Sequence, residues 1–115
     1  MTPSTQPYYL LIRSALEKIE EYLPATEAEF LVQSMAQDAI LMRLQEIGEL
    51  LTRVRRLSPD LFTLPEHDAW TKMIALRNII SHGYESVEMN RIWQIVIEEL
   101  PAFSKTIHQA IELNI

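Results

Sequence analysis

The stretch Ile40–Val54, ILMRLQEIGELLTRV, decides how the chain is read. Ile40, Leu44, Ile47, Leu51 and Val54 recur at alternating spacings of four and three, the seam of an amphipathic helix rather than the alternation of a strand. A long helix holding such a seam is usually the spine of a bundle. Gly48 sits inside it, where glycine costs about 1 kcal/mol relative to alanine, so its presence points to the close approach of another backbone.

Upstream, Tyr8 to Leu23 places Leu11, Ala15, Ile19 and Tyr22 on one helical face, and Pro24 ends the pattern. Thr26 followed by Glu29 reads as a capping box that opens one continuous helix to about Leu57. Ser58 to Asp68, SPDLFTLPEHD, contains two prolines and no period, which marks a connection with a helical turn at Pro59. Asp68 is placed to cap a third helix, Ala69 to about His82, and Gly83 to end it in the left-handed conformation. Ser86 is expected to cap a fourth helix through Leu100, and Pro101 to kink that helix or to start a fifth reaching about Leu113. The expectation is an all-α fold, an antiparallel bundle of four to five helices forming a single domain over residues 1–115.

Of 115 residues, 48% are apolar, two are glycine and none is cysteine, which suits one helical core and excludes a disulfide framework, a thiolate zinc site and a cysteine nucleophile. The net charge of −6 argues against broad, nonspecific contact with nucleic acid, so any RNA-facing site must be local. The cluster Arg53, Arg55 and Arg56 reads as a dipole-matched helix end. No secretory leader pattern opens the sequence, and no apolar run approaches the roughly 18 residues of a membrane span. The expected setting is cytoplasmic, without membrane contact.

A second stretch, Ala75–Val96, ALRNIISHGYESVEMNRIWQIV, carries residues that packing does not require. Asn78 and His82 share one helical face, with Arg77 and Ser81 on the adjacent stripe. Arg77 and His82 are five residues apart, about 140° around an ideal helix, so one helix does not aim both at one atom. A turn at Gly83, or a second copy across a two-fold axis, would complete such a site. The residue types suit phosphodiester chemistry without a metal. A histidine can take the proton of a ribose 2′-hydroxyl or give one to the leaving oxygen, and an arginine can hold phosphoryl oxygens as charge builds. Position in the last helical turn favours the imidazolium form of His82, Asn78 is placed to orient the ring, and Tyr84 presents a hydroxyl beyond the stop. Each residue also has an ordinary structural role open to it: surface charge, helix-terminal cation, C-cap, half-buried ring.

Elsewhere, Asp38, Glu46 and Glu49 lack an accompanying Glu-x-x-His pair, so no metal site is expected; Glu46 and Glu49 are expected to pair with Arg43 and Arg53. Trp70 and Trp93 read as core anchors. There is no glycine-rich phosphate loop, so no bound nucleotide or other cofactor is expected.

The run Arg77-Asn-Ile-Ile-Ser-His82-Gly-Tyr84 resembles the R-x4-H-x-Y motif of the HepT-like family in the HEPN superfamily. Asp38–Leu51, DAILMRLQEIGELL, is similar to that family's long-helix segment, and Ser86–Phe103 to the segment that follows the motif. Leu44 stands where an Asn often follows the helix-two Arg, and Glu88 where Asp is usual. The resemblance implies a metal-independent endoribonuclease, the toxin of a prokaryotic toxin–antitoxin pair, whose partner is an MNT-type nucleotidyltransferase antitoxin. It implies that Arg77 and His82 are catalytic in a composite site across a homodimer or higher even oligomer, with RNA as substrate. Asn78 becomes a supporting polar residue and Tyr84 the acceptor of AMP from ATP. The competing expectation is a non-catalytic helical dimer that binds the nucleotidyltransferase and is modified by it.

Overall fold

Six α-helices carry the computed structural model, which describes residues 4–115; residues 1–3 of the expected domain lie outside the described ones. The helices are α1 (Gln6–Tyr22), α2 (Glu27–Val32), α3 (Ser34–Leu57), α4 (Asp68–His82), α5 (Met89–Gln94) and α6 (Leu100–Leu113). Among the described residues there is no strand, and no helix is long and apolar enough to cross a membrane.

The spine is α3. Its seam residues Ile40, Leu44, Ile47, Leu51 and Val54 are all 0% exposed, wedged between α1 and α4. Along α3 and α4, Asp38 meets Tyr84 while Gly48 meets Arg77, so partner numbers fall as α3 advances and the two helices run antiparallel. The same holds for α1 and α6: Gln6 Nε2 donates to the Ala110 carbonyl at 3.1 Å, while Leu16 and Leu23 face Leu100 and Ser104 at the other end.

The helix expected from Thr26 to Leu57 is broken in two. Thr26 does cap, its Oγ1 accepting from Glu29 N–H at 3.2 Å, but the Glu29 carboxylate accepts from Ala25 rather than from Thr26, so the box is not reciprocal. Gln33, at φ −105° and ψ 89°, then leaves the helix. Gln37 Nε2 donates to the Phe30 carbonyl at 2.9 Å, an acceptor that also takes the Gln33 N–H at 3.3 Å where α2 ends. The break turns Phe30 sideways to pack fully buried against Trp93, with ring centroids 5.7 Å apart, a contact that ties α2 to α5.

The connection after α3 is more ordered than its prolines suggest. Two 3-10 turns, Pro59–Thr63 and Pro65–His67, wrap Trp70, which is 0% exposed. His67 stacks on the indole at 3.8 Å and its Nδ1 meets the Leu61 carbonyl at 2.9 Å. Trp70 Nε1 donates to Thr106 Oγ1 at 2.8 Å, so this core anchor also joins α4 to α6. Asp68 is not the cap. It already has helical dihedrals and faces Lys72 at 3.3 Å, while His67 occupies the cap position without a side-chain bond.

Ser86 is not a cap either; it closes a 3-10 turn, Tyr84–Ser86, its Oγ donating to the Gly83 carbonyl at 2.8 Å, and Glu88 precedes α5. Between α5 and α6, Ile95–Glu99 widen into a π-helical stretch, with Leu100 N–H reaching back to the Ile95 carbonyl. Pro101 in the first turn of α6 lacks an N–H, and its ring crowds the carbonyl four residues earlier, so the wider turn accommodates it.

Candidate active site

The site forms where α4 ends beside the uncovered face of α3. Gly48 makes the approach possible: a Cβ there would stand 2.3 Å from Arg77 Cβ and 3.1 Å from the Met73 carbonyl. The close approach inferred from the lone glycine is therefore intramolecular, and the residue it seats is Arg77. With its stem lying over α3, the Arg77 guanidinium pairs with Glu49 (Nη2–Oε2 3.1 Å) and donates to Asn78 Oδ1 at 3.1 Å. The Arg77 side chain remains about one-third exposed, at 35%. It borders an open cleft of about 380 Å³ whose lining is completed by Met42, Gln45, Glu46 and Glu49 of α3 and by Ser81.

Asn78 thus supports the arginine and not the imidazole. His82 is exposed, and among the described residues its side chain has no hydrogen bond or ion pair. Within one protomer the arginine and the histidine are not joined, as their angular offset on the helix requires.

Gly83 does not adopt the left-handed conformation; its φ is −147° and ψ 54°. Its value is space. Gly83 N–H closes α4 on the Ile79 carbonyl at 2.9 Å while Ser86 folds back so closely that a Cβ would lie 2.5 Å from Ser86 Oγ. That tight return swings Tyr84 toward α3. Its ring is 45% exposed and its Oη donates to Asp38 Oδ1. The bond to the carboxylate favours the protonated phenol and holds its pKa above the ordinary value of 10.0, with desolvation and the Asp38 charge acting in the same direction.

The three carboxylates weighed as metal ligands are spoken for separately. Glu46 pairs with Arg43 at 2.8 Å and Glu49 with Arg53 at 3.7 Å, both as expected, while Asp38 is taken by Tyr84. What sequence reasoning missed is the cross-helix half of this network, Glu49 to Arg77 and Asp38 to Tyr84. A signal was present: Asp38, Met42, Gln45 and Glu49 follow one another at spacings of four, three and four, a second stripe beside the apolar seam. Chemically, the arrangement offers a cation fixed at the edge of an open cleft, an unengaged imidazole one turn further on, and an accessible phenol beyond it.

Residues 12–110 match the family model described as Ribonuclease HepT-like. The chain belongs to the HepT-like ribonuclease family. It is 29% identical over 107 residues to "Probable ribonuclease HepT" of Thermococcus cleftensis, covering 89% of this chain and 91% of that protein. It is 26% identical over 113 residues to a Methanocaldococcus jannaschii protein named "Gamma-glutamylcyclotransferase and putative RNase". That match covers 97% of this chain and 50% of the relative, so the chain spans half the length of that protein. No solved structure matches the chain. As a HepT-like ribonuclease, it has Arg77 and His82 at the end of α4 inside the matched region.

Proposed function

We propose that this HepT-like ribonuclease is a metal-independent endoribonuclease toxin of a prokaryotic toxin–antitoxin system, neutralised when an MNT-type nucleotidyltransferase transfers AMP to Tyr84. The observation that carries the reading is the seating of Arg77 by Gly48 at the mouth of an open cleft, with His82 exposed and unengaged in the next turn.

The chemistry follows from the residue types. One imidazole takes the proton of a ribose 2′-hydroxyl, the alkoxide attacks the adjacent phosphorus, and the guanidinium of Arg77 neutralises the oxygens that gain charge. The leaving 5′-oxygen must be protonated, a role for a second imidazole. One chain has a single His82, placed well around the helix from Arg77, so a two-fold homodimer that joins two copies of each supplies the missing acid and the facing cation. Met42, which lines the cleft and is 62% exposed, and Met35, seven residues earlier on α3 and 86% exposed, give such a dimer an apolar contact. AMP on Tyr84 would set a bulky anion at the same edge, blocking RNA sterically and by charge.

Expression of the chain alone tests this. Growth arrest and RNA cleavage are expected, and Arg77→Ala or His82→Ala should reduce cleavage about 10²- to 10⁴-fold with the fold intact. A wild-type chain that binds its transferase yet neither arrests growth nor cleaves RNA would support the second reading, a non-catalytic dimer serving as a modification target. That reading draws on the exposure of Tyr84, which needs neither Arg77 nor His82 to accept a nucleotide.

A further inference from the structure

Asp38 and Tyr84 are 46 residues apart in sequence and lie on different helical elements, yet the phenol hydroxyl of one donates to the carboxylate of the other. Among the described residues Asp38 has no other hydrogen bond or ion pair, whereas Glu46 and Glu49 are each neutralised by arginines. An exposed carboxylate committed to a single phenol is not needed to satisfy a buried group or to close a helix. A phenol is a poor nucleophile while it keeps its proton, and the usual remedy is an adjacent base within hydrogen-bond reach of that proton. The neighbouring imidazole, His82, makes no bond to Tyr84. Asp38 is therefore the group positioned to act on the Tyr84 hydroxyl.

We propose that Asp38 is the general base in the modification of Tyr84. As Tyr84 Oη attacks the α-phosphorus of ATP held by the nucleotidyltransferase, the Oη–P bond forms and the bond from that phosphorus to the bridging oxygen breaks. Pyrophosphate departs with the electron pair, and the Asp38 carboxylate takes the phenolic proton, later releasing it to water. The inference rests on the reading of Tyr84 as AMP acceptor and adds that the target supplies part of the catalytic machinery for its own modification. Once the phosphodiester is in place, Tyr84 has no proton to donate and a second anion faces Asp38, so the contact tying the turn after α4 to α3 is lost.

The test compares wild type, Asp38→Asn, Asp38→Glu and Tyr84→Phe, each incubated with ATP and the purified nucleotidyltransferase, with adduct formation followed by intact mass. Asparagine keeps an oxygen that accepts the phenol hydrogen but cannot take the proton. Asp38→Asn is expected to lower kcat for adduct formation about 100-fold at neutral pH, with KM for the chain little changed and partial rescue in Asp38→Glu. Its residual rate should climb about tenfold per pH unit as free phenolate replaces the lost base, while wild type stays flatter. An adduct lost in Tyr84→Phe but formed at the wild-type rate in Asp38→Asn overturns this inference alone, as does a defect confined to KM. A wild-type chain that gains no adduct, or an adduct that persists in Tyr84→Phe, overturns the acceptor reading and this inference with it.

Discussion

Gly48 of α3 lies directly beneath Arg77 of α4, so close that a methyl group at Gly48 would overlap the arginine's own Cβ at 2.3 Å. The absent side chain is what sets the height of the guanidinium above the cleft. Gly48→Ala should gain about 1 kcal/mol of helix propensity and lose more than that to overpacking, which typically costs about 1–3 kcal/mol. A lowered denaturation midpoint is expected together with reduced RNA cleavage, although Gly48 itself offers RNA no functional group. A variant as stable and as active as wild type would show that the helices have room to part.

Glu49 pairs with both Arg77 and Arg53, so under the proposed role of Arg77 an RNA phosphate would displace this carboxylate. These are half-exposed pairs, so Glu49→Gln should cost little stability, at most about 1 kcal/mol. Relieved of this competitor, Arg77 should bind RNA more tightly, lowering KM by up to about fivefold, the equivalent of one surface ion pair. Steady-state cleavage of a short RNA checks this; a raised KM would mean that Glu49 aims the arginine more than it competes for it.

The Tyr84 phenol carries a pH signature. Its pKa is raised in the folded chain, chiefly by the hydrogen bond to Asp38, so the unfolded chain ionises first as pH rises past 10.0. The sign follows: the contribution of this contact to stability is fully present below that value and fades as pH climbs through the higher, folded one. Asp38→Asn should move the phenolate titration down toward the ordinary range. Spectrophotometric titration of tyrosinate, with Tyr84→Phe as the reference that identifies this residue's step, reads the shift directly.

Trp70 tests the core rather than the site. Its indole N–H is fully buried and donates to Thr106 Oγ1. Thr106→Val keeps the shape but strands that donor, so a loss of about 1–3 kcal/mol is expected in chemical denaturation. No change would imply that water reaches the indole.

How much of this was legible in the sequence varies by element. The α3 seam was fully readable because its burial repeats with the helical period, and every seam residue is in the core. The Thr26 cap was readable because capping is local. The break at Gln33 was not, since what favours it is Phe30 reaching Trp93 on α5, a contact far away in the chain. Asp68 and Ser86 were assigned N-caps by residue type, and each yielded to its neighbours: Asp68 to Lys72 within the helix, Ser86 to Gly83 in the tight turn; Gly83 does end α4, but outside the left-handed conformation.

For the site, the sequence alone determined which side chains could do chemistry: Arg77, Asn78, His82 and Tyr84 are close in the chain, and helical spacing fixes their angles to one another. It also marked Gly48 as a place where something must come near. Only the tertiary structure decided what came near, that Asn78 serves the arginine, that Glu49 guards it and that Asp38 holds the tyrosine. The reason is physical. Periodicity orients residues within a helix, but the pairing of charges and hydroxyls between helices depends on the crossing distance and register of α3 against α4, and no local spacing encodes those.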